Sequence, residues 1–230
     1  MKIIGKIIKW VLIACIGFFC VVFGRGYLFY TKLTETESIS SKVSEIQSNS
    51  NYIQYEELPQ TLVNATVSIE DHRFFEHDGI DYIGLARAFV SWFIPDMMNS
   101  GGSTITQQLA KNMYSMYESS LDRKIVEFFI AKDLESQYSK EDILELYVNI
   151  INYGDQHIGI DAAARGYFQK NVEMLTDSEC TLLAGIPQSP ANYQLSNHLL
   201  EAKSRQKLVL MRMVEEGYLS EEEAFLIVNA

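Results

Sequence analysis

The stretch GGSTITQQLAKN, Gly101 to Asn112, carries the signature of a helix start. Two glycines and a Ser-Thr pair lead into it. Thr104-x-x-Gln107 has the capping-box form, in which a hydroxyl and an amide each satisfy the other residue's backbone N–H. The same form recurs at Ser119-x-x-Asp122, Ser139-x-x-Asp142, Thr176-x-x-Glu179 and Ser220-x-x-Glu223, each ahead of an apolar-periodic run. Helices are expected near 59–71, 80–93, 104–116, 120–137, 140–150, 159–168, 177–185, 198–216 and 221–228. Strong strand alternation and internal repeats are absent. The fold class is therefore mainly α.

The same twelve residues suggest a ligand. A helix opened by glycines leaves free N–H groups at its positive end, a natural place for a phosphate. No Gly-Lys-Ser/Thr follows, so this is not a P-loop. Helical spacing groups Gln107, Lys111 and Tyr114 on one face and Thr104, Gln108 and Lys111 on the adjoining one. Hydroxyl, amide and ammonium donors gather there, although a capped surface helix accounts for them equally well.

The net charge of −11 over 230 residues is unevenly spread. Up to Tyr30 there are four basic residues and no acid, and the remainder carries 15 basic and 30 acidic residues. A domain so acidic has no basic face for nucleic acid. Trp10 to Gly24 is uncharged, and apolar neighbours extend it toward the roughly 20 residues that span a bilayer. Lys9 and Arg25 can snorkel at its ends. Three lysines before the span and one arginine after it place the N-terminus in the cytoplasm and the domain outside. No A-x-A-like site follows the apolar run, and only a short apolar stretch precedes Cys15 in the lipoprotein-like Leu12–Cys15. An uncleaved anchor is expected. Cys180 stands alone outside the span, so no intrachain disulfide is expected there, and its setting suits a buried small hydrophobe. Thr31 to Asn51, rich in Ser, Thr and Glu, reads as a stalk with one short helical stretch. The apolar segment Ile80 to Met98 is either a core helix or a lip resting on the bilayer, with Trp92, Phe93, Ile94, Met97 and Met98 at its end.

SIEDHRFFEHDGID, Ser68 to Asp81, holds five acids and two histidines. His72 and His77 are five apart and no H-E-x-x-H occurs, which argues against a histidine-built metal site. Glu70 and Asp71 fall at a helix end beside Phe74 and Phe75. Aromatic neighbours would desolvate a carboxylate and raise its pKa toward general-base range; spacing alone favours a solvated helix end. Further on, Arg123 and Glu127 stand one turn apart and could simply pair.

Taken in order, IEDHRFFEHDGID, GGSTITQQLAKNMY, RKIVE, KEDILELYVNIINYG, GIDAAARGYFQKN and LLAGIPQSPANY resemble the family 51 glycosyltransferases, the peptidoglycan polymerases. The likeness runs from about 55 to 215, and its form is that of the monofunctional, membrane-tethered members related to class A penicillin-binding proteins. It implies a lysozyme-like, two-lobed glycosyltransferase domain at 55–230, behind a transmembrane anchor at 1–30 and a stalk or linker at 31–54. It implies an inverting hexosyltransferase that joins lipid II into β-1,4-linked glycan and releases undecaprenyl pyrophosphate. By the same resemblance Glu70 is the general base, and Glu127 assists departure of the pyrophosphate, directly or through a bound Mg²⁺ or Mn²⁺. Asp71, Phe74, His77, Gly79, Ser103, Thr104, Gln107, Gln108, Lys111, Asn112, Arg123 and Lys124 form the substrate site. No organic cofactor is implied; the partners are lipid II, the nascent strand, membrane lipid and other cell-wall synthesis proteins. A catalytically inactive cell-wall partner and a lytic, muramidase-like enzyme are the rival functions. Three positions depart from the family pattern: Ser119 and Val126 stand where basic residues are common, and Gln169 replaces a glycine.

Overall fold

The computed structural model describes residues 2–91 and 102–229. The long first helix, α1 (Lys2–Thr36), includes a segment, Lys6–Thr36, long and apolar enough to cross a membrane. Its outward side chains, among them Trp10, Leu12, Phe18 and Phe19, are exposed. The end of α1 is not a free tether. Phe23, Tyr27 and Tyr30 pack around Phe129 of α6 (Leu121–Gln137) at centroid separations of 5.1–5.3 Å. Arg25 pairs with Asp122 at 2.9 Å, and Tyr30 hydrogen-bonds Asp133. The two helices meet so closely at Gly26 that a Cβ there would lie 2.6 Å from Ile125.

The segment expected as a stalk is likewise folded onto the domain. Residues 31–36 complete α1, and α2 (Ile39–Gln47) buries Ile39 and Val43 in the main core. The polar composition that suggested a linker belongs to α2's outer face. Tyr52 and the Tyr55 N–H then bond to Glu145, and Asn149 holds both backbone groups of Ile53.

The helices follow the expected order closely: α3 (Gln60–Glu70), α4 (Tyr82–Ser91), α5 (Ile105–Met113), α6, α7 (Lys140–Ile150), α8 (Ile160–Phe168), α9 (Asp177–Ala184), α10 (Pro190–Tyr193), α11 (Leu199–Glu215) and α12 (Glu221–Asn229). Capping boxes open α5, α7 and α9 at Thr104, Ser139 and Thr176, and Ser220 and Glu223 exchange the same bonds before α12. The box at Ser119 is corrected: Ser120, one residue later, accepts from the Arg123 N–H and caps α6. A lone antiparallel bridge between Asn152 and Ile158 is the extended pairing found among the described residues. The chain is mainly helical, as its periodicity requires.

Packing gives the site its position. α5, α6 and α7 bury Leu109, Ile130, Leu134, Ile143, Leu146 and Tyr147 in the main core. Each fully buried aliphatic side chain contributes about 1.5–3 kcal/mol. α3 joins that core through Leu62 and Val67 and, through Ala65, a second small cluster with Ala184, Val209 and Met213 of α9 and α11. The C-terminal end of α3 therefore lies between α5 and α11. Cys180 is buried as expected, its thiol pushed up to about 12 by burial. On α4, Tyr82, Ile83 and Leu85 are exposed while Ile80, just ahead, is buried. The proposed lip residues Trp92 to Met98 lie outside the described residues.

Candidate active site

α3 ends at Glu70 on the wall of a cleft of about 480 Å³. The carboxyl faces a side chain from the first helix quoted above: Gln108 Nε2 of α5 donates to Glu70 Oε2 at 2.7 Å. The other oxygen, Oε1, is shielded from solvent and has no hydrogen-bond partner among the described residues. Burial pushes the Glu70 carboxyl above its usual range, against the Gln108 hydrogen bond and the positive charges of Arg205 and Lys111. A carboxyl pKa raised in this way makes the carboxylate a stronger base than an exposed one.

Asp71, the next residue, is committed elsewhere. Its carboxylate accepts from the Ile105 N–H at 3.0 Å and meets His77 Nε2 at 3.0 Å. It thus ties the α3 end to the α5 start. Thr104 Oγ1 adds a second tie, donating to the Gly79 carbonyl at 2.7 Å. Gly79 sits at φ +80°, and a Cβ there would press to 2.9 Å from Glu135 Cγ and 3.1 Å from the Ala131 carbonyl. Phe74 is fully buried, with the Lys140 ammonium 4.4 Å above its ring.

The start of α5, expected to offer free N–H groups, has several of them already in use. Thr104 N–H donates to Gln107 Oε1, Ile105 N–H to Asp71, and Gln107 N–H to Thr104 Oγ1. A capping box and an acid from α3 thus use three of the N–H groups at this helix start. Thr104 and Gln107 are therefore engaged in the cap, and Asn112 bonds back to the Gln108 carbonyl.

Of the residues expected from the sequence, Glu70, Asp71, Ser103, Thr104, Gln108 and Lys111 line the cleft. Phe74, His77, Gly79, Gln107, Asn112, Arg123, Lys124 and Glu127 are not part of that lining. The last three form a group on α6. Glu127 is 1% exposed, with Lys124 Nζ at 2.6 Å from Oε2 and Arg123 Nε at 3.2 Å from Oε1. The Arg123 contact has ion-pair distance without hydrogen-bond alignment. Lys124 Nζ also reaches Ser103 Oγ at 2.7 Å, joining this group to the cleft. Burial lowers the Lys111 ammonium's pKa, Glu127 and Glu70 oppose the shift, and Arg123 and Lys124 add to it.

The cleft also holds cations that the sequence reading missed: Arg87 of α4 and Arg205 and Arg212 of α11. Arg205 and Arg212 are seven apart and so share one helical face. That spacing was the available signal, but nothing local places α11 opposite Glu70. Arg205 is buried enough to lower its pKa, and its Nε has no partner among the described residues. Arg87 NH1 lies 3.3 Å from His72 Nε2, and burial, then Arg87, lowers the His72 pKa. Val126, one of the departures, is wholly buried in the core, and Ser119 is exposed before α6. Gln169, where glycine is usual, takes a left-handed conformation (φ +56°) and caps α8.

For a divalent cation the donors are few. Among the described residues no group of three or more His, Cys, Asp or Glu side chains could hold one. Both oxygens of Glu127, the expected ligand, already face cations. The described residues do not build a resident metal site.

A helical domain with a half-buried, half-satisfied glutamate in a cleft lined by cations is the setting of an acid/base enzyme for an anionic substrate. The family model described as Transglycosylase matches residues 36–214, and the chain belongs to that family. It is 42% identical over 174 residues to a Cupriavidus necator protein that carries the name transglycosylase, covering 75% of this chain and 74% of the relative. It is also 42% identical over 178 residues to penicillin-binding protein 1A of Aquifex aeolicus, covering 77% of this chain and 24% of that protein. The chain thus spans about a quarter of the penicillin-binding relative. A crystal structure of penicillin-binding protein 1A from Haemophilus influenzae is similar at 30% identity and a TM-score of 0.36, over 54% of this chain and 16% of that one.

Proposed function

We propose that the chain is a membrane-anchored peptidoglycan glycosyltransferase that joins lipid II into β-1,4-linked glycan and releases undecaprenyl pyrophosphate. The observation that carries this reading is Glu70: one oxygen held by Gln108, the other without a partner among the described residues, in a cleft lined by Lys111, Arg87, Arg205 and Arg212. A sugar hydroxyl is a poor nucleophile until its proton is removed, and the Glu70 carboxylate on the cleft wall is the acceptor for it. General-base help of this kind contributes roughly 10²–10⁴-fold.

The cations suit the other half of the reaction. A diphosphate leaves readily when its growing charge is stabilised by fixed donors. Lys111 lies in the cleft, and Lys124 reaches its edge at Ser103. An anionic substrate that neutralises Lys111 and Arg205 would also remove the charges that hold Glu70 ionised. Binding would therefore make Glu70 a stronger base. Cleavage of a finished glycan gives no such role to four basic side chains.

The anchor fits a lipid-borne substrate. Lysines ahead of the span support an N-terminus in the cytoplasm and a domain outside. The exposed Tyr82, Ile83 and Leu85 of α4 suit the bilayer surface.

The test is polymerisation of purified lipid II by the full chain in detergent, read as glycan products on a gel. Long glycan from the wild type and none from Glu70→Gln are expected. Unchanged polymerisation by the variant refutes the assignment of the base. Soluble muropeptide release from cell walls without polymerisation would instead make the protein a lytic enzyme.

A further inference from the structure

We propose that Tyr147 is a positioning residue for Glu70 and acts through Gln108; the inference rests on the reading of Glu70 as the base. Tyr147 lies on α7 and is fully buried. Its hydroxyl is 3.3 Å from Gln108 Oε1, and the other end of that amide, Nε2, is 2.7 Å from Glu70 Oε2. An ionised carboxylate can only accept hydrogen bonds, so the amide nitrogen must face Glu70. The amide oxygen then faces the phenol, which must donate. Burial raises the Tyr147 pKa well above its ordinary value, so the phenol keeps its proton. Donation therefore runs one way, from Tyr147 to Gln108 to Glu70. This order fixes which end of the amide meets the carboxylate and leaves Oε1 as the free oxygen.

Phenylalanine at 147 would keep the ring in the core and delete the donor alone. The amide would then be free to turn its oxygen toward Glu70. Two acceptors facing each other favour a proton between them, which stabilises the neutral acid and raises its pKa. The acid limb of catalysis would move to higher pH. A tyrosine needed only for packing would leave that limb in place.

The test uses the full chain in detergent with its glutamates ¹³C-labelled at the side-chain carboxyl. The Glu70 resonance is assigned by its loss in Glu70→Gln. In Tyr147→Phe the Glu70 midpoint is expected to rise by about half a unit to one unit. At pH below the Glu70 midpoint the polymerisation rate should fall roughly three- to tenfold and recover as pH rises past it, since there each unit of pKa is a factor of ten in the ionised fraction. Gln108→Met, which removes the amide, should raise the midpoint at least as far; it also serves as the second variant if Tyr147→Phe does not fold. An unmoved midpoint in a folded variant, or an equal loss of rate at every pH, would overturn the proposal. If the wild type fails to polymerise lipid II, the functional reading falls, and the carboxyl titration still decides whether Tyr147 acts on Glu70.

Discussion

Glu70 and Glu127 are the same side chain in opposite surroundings. Glu127 is buried, and Glu70 is half-buried at the cleft wall. Glu70 has one amide donor, one unpartnered oxygen and no cation within ion-pair distance among the described residues. Glu127 has a cation at each oxygen, Lys124 at 2.6 Å and Arg123 at 3.2 Å. Burial alone does not make a carboxylate a base. What distinguishes them is whether the negative charge is already matched by neighbouring cations. Glu127 in turn holds Arg123 and Lys124 in place, and through Lys124 it fixes Ser103 at the cleft edge. Glu70 exchanges a proton in this account, while Glu127 organises positive charge.

The comparison can be broken at either residue. The largest expected effect is that of Glu70→Gln, a loss of roughly 10²–10⁴-fold in kcat with the fold intact by circular dichroism. Next is Arg205→Gln, for which kcat/KM for lipid II should fall by roughly ten- to a hundredfold, since hydrogen bonds to charged groups are worth about 1.5–3 kcal/mol. Steady-state kinetics at varied lipid II would show this. A variant as active as the wild type would remove Arg205 from the site.

At the second glutamate the effect should appear in stability. Glu127→Gln leaves Arg123 and Lys124 without a counter-charge beside a buried position, and a cost of about 1–3 kcal/mol is expected in denaturant unfolding. Lys124 is partly exposed and can rehydrate, which keeps the cost below that of a fully buried pair. A variant of unchanged stability would mean that the ion pairs organise nothing.

The smallest effect is a slope. Burial raises the folded-state pKa of Glu70 above its ordinary 4.5. Between those two values the folded chain holds more protons than the unfolded one, so this residue's contribution makes stability fall as pH rises through the window. Glu70→Gln should remove that part of the slope and Glu127→Gln should not. Thermal unfolding across pH 4–8 would measure the difference.

Much of the fold was legible because helix starts are local. Thr104, Ser139, Thr176 and Ser220 cap the helices that their spacing announced. The folded stalk was harder to see, since Ile39 and Val43 are few and find their partners on α7 and in the core, a hundred residues on. The site divides in the same way. Glu70 and the α5 face came from motifs and resemblance. Arg205 did not, because it joins the Glu70 cleft only through the packing of α11 on α3. The engagement of α5's first N–H groups was hidden for a related reason: a helix start read alone does not show that Asp71, 34 residues earlier, already occupies the Ile105 N–H. Gln169 is a milder case. Its left-handed backbone explains why glycine suits the position, and glutamine there carries a cost of roughly 1–2 kcal/mol.

The most direct test of the contrast between the glutamates is the pH dependence of kcat/KM for lipid II polymerisation in the wild type, Glu70→Gln and Glu127→Gln. The wild-type rate should rise with pH along a single-ionisation limb whose midpoint lies above 4.5. That limb should vanish from the residual activity of Glu70→Gln and persist in Glu127→Gln. A limb that survives in Glu70→Gln, or disappears in Glu127→Gln, would contradict the assignment of the base.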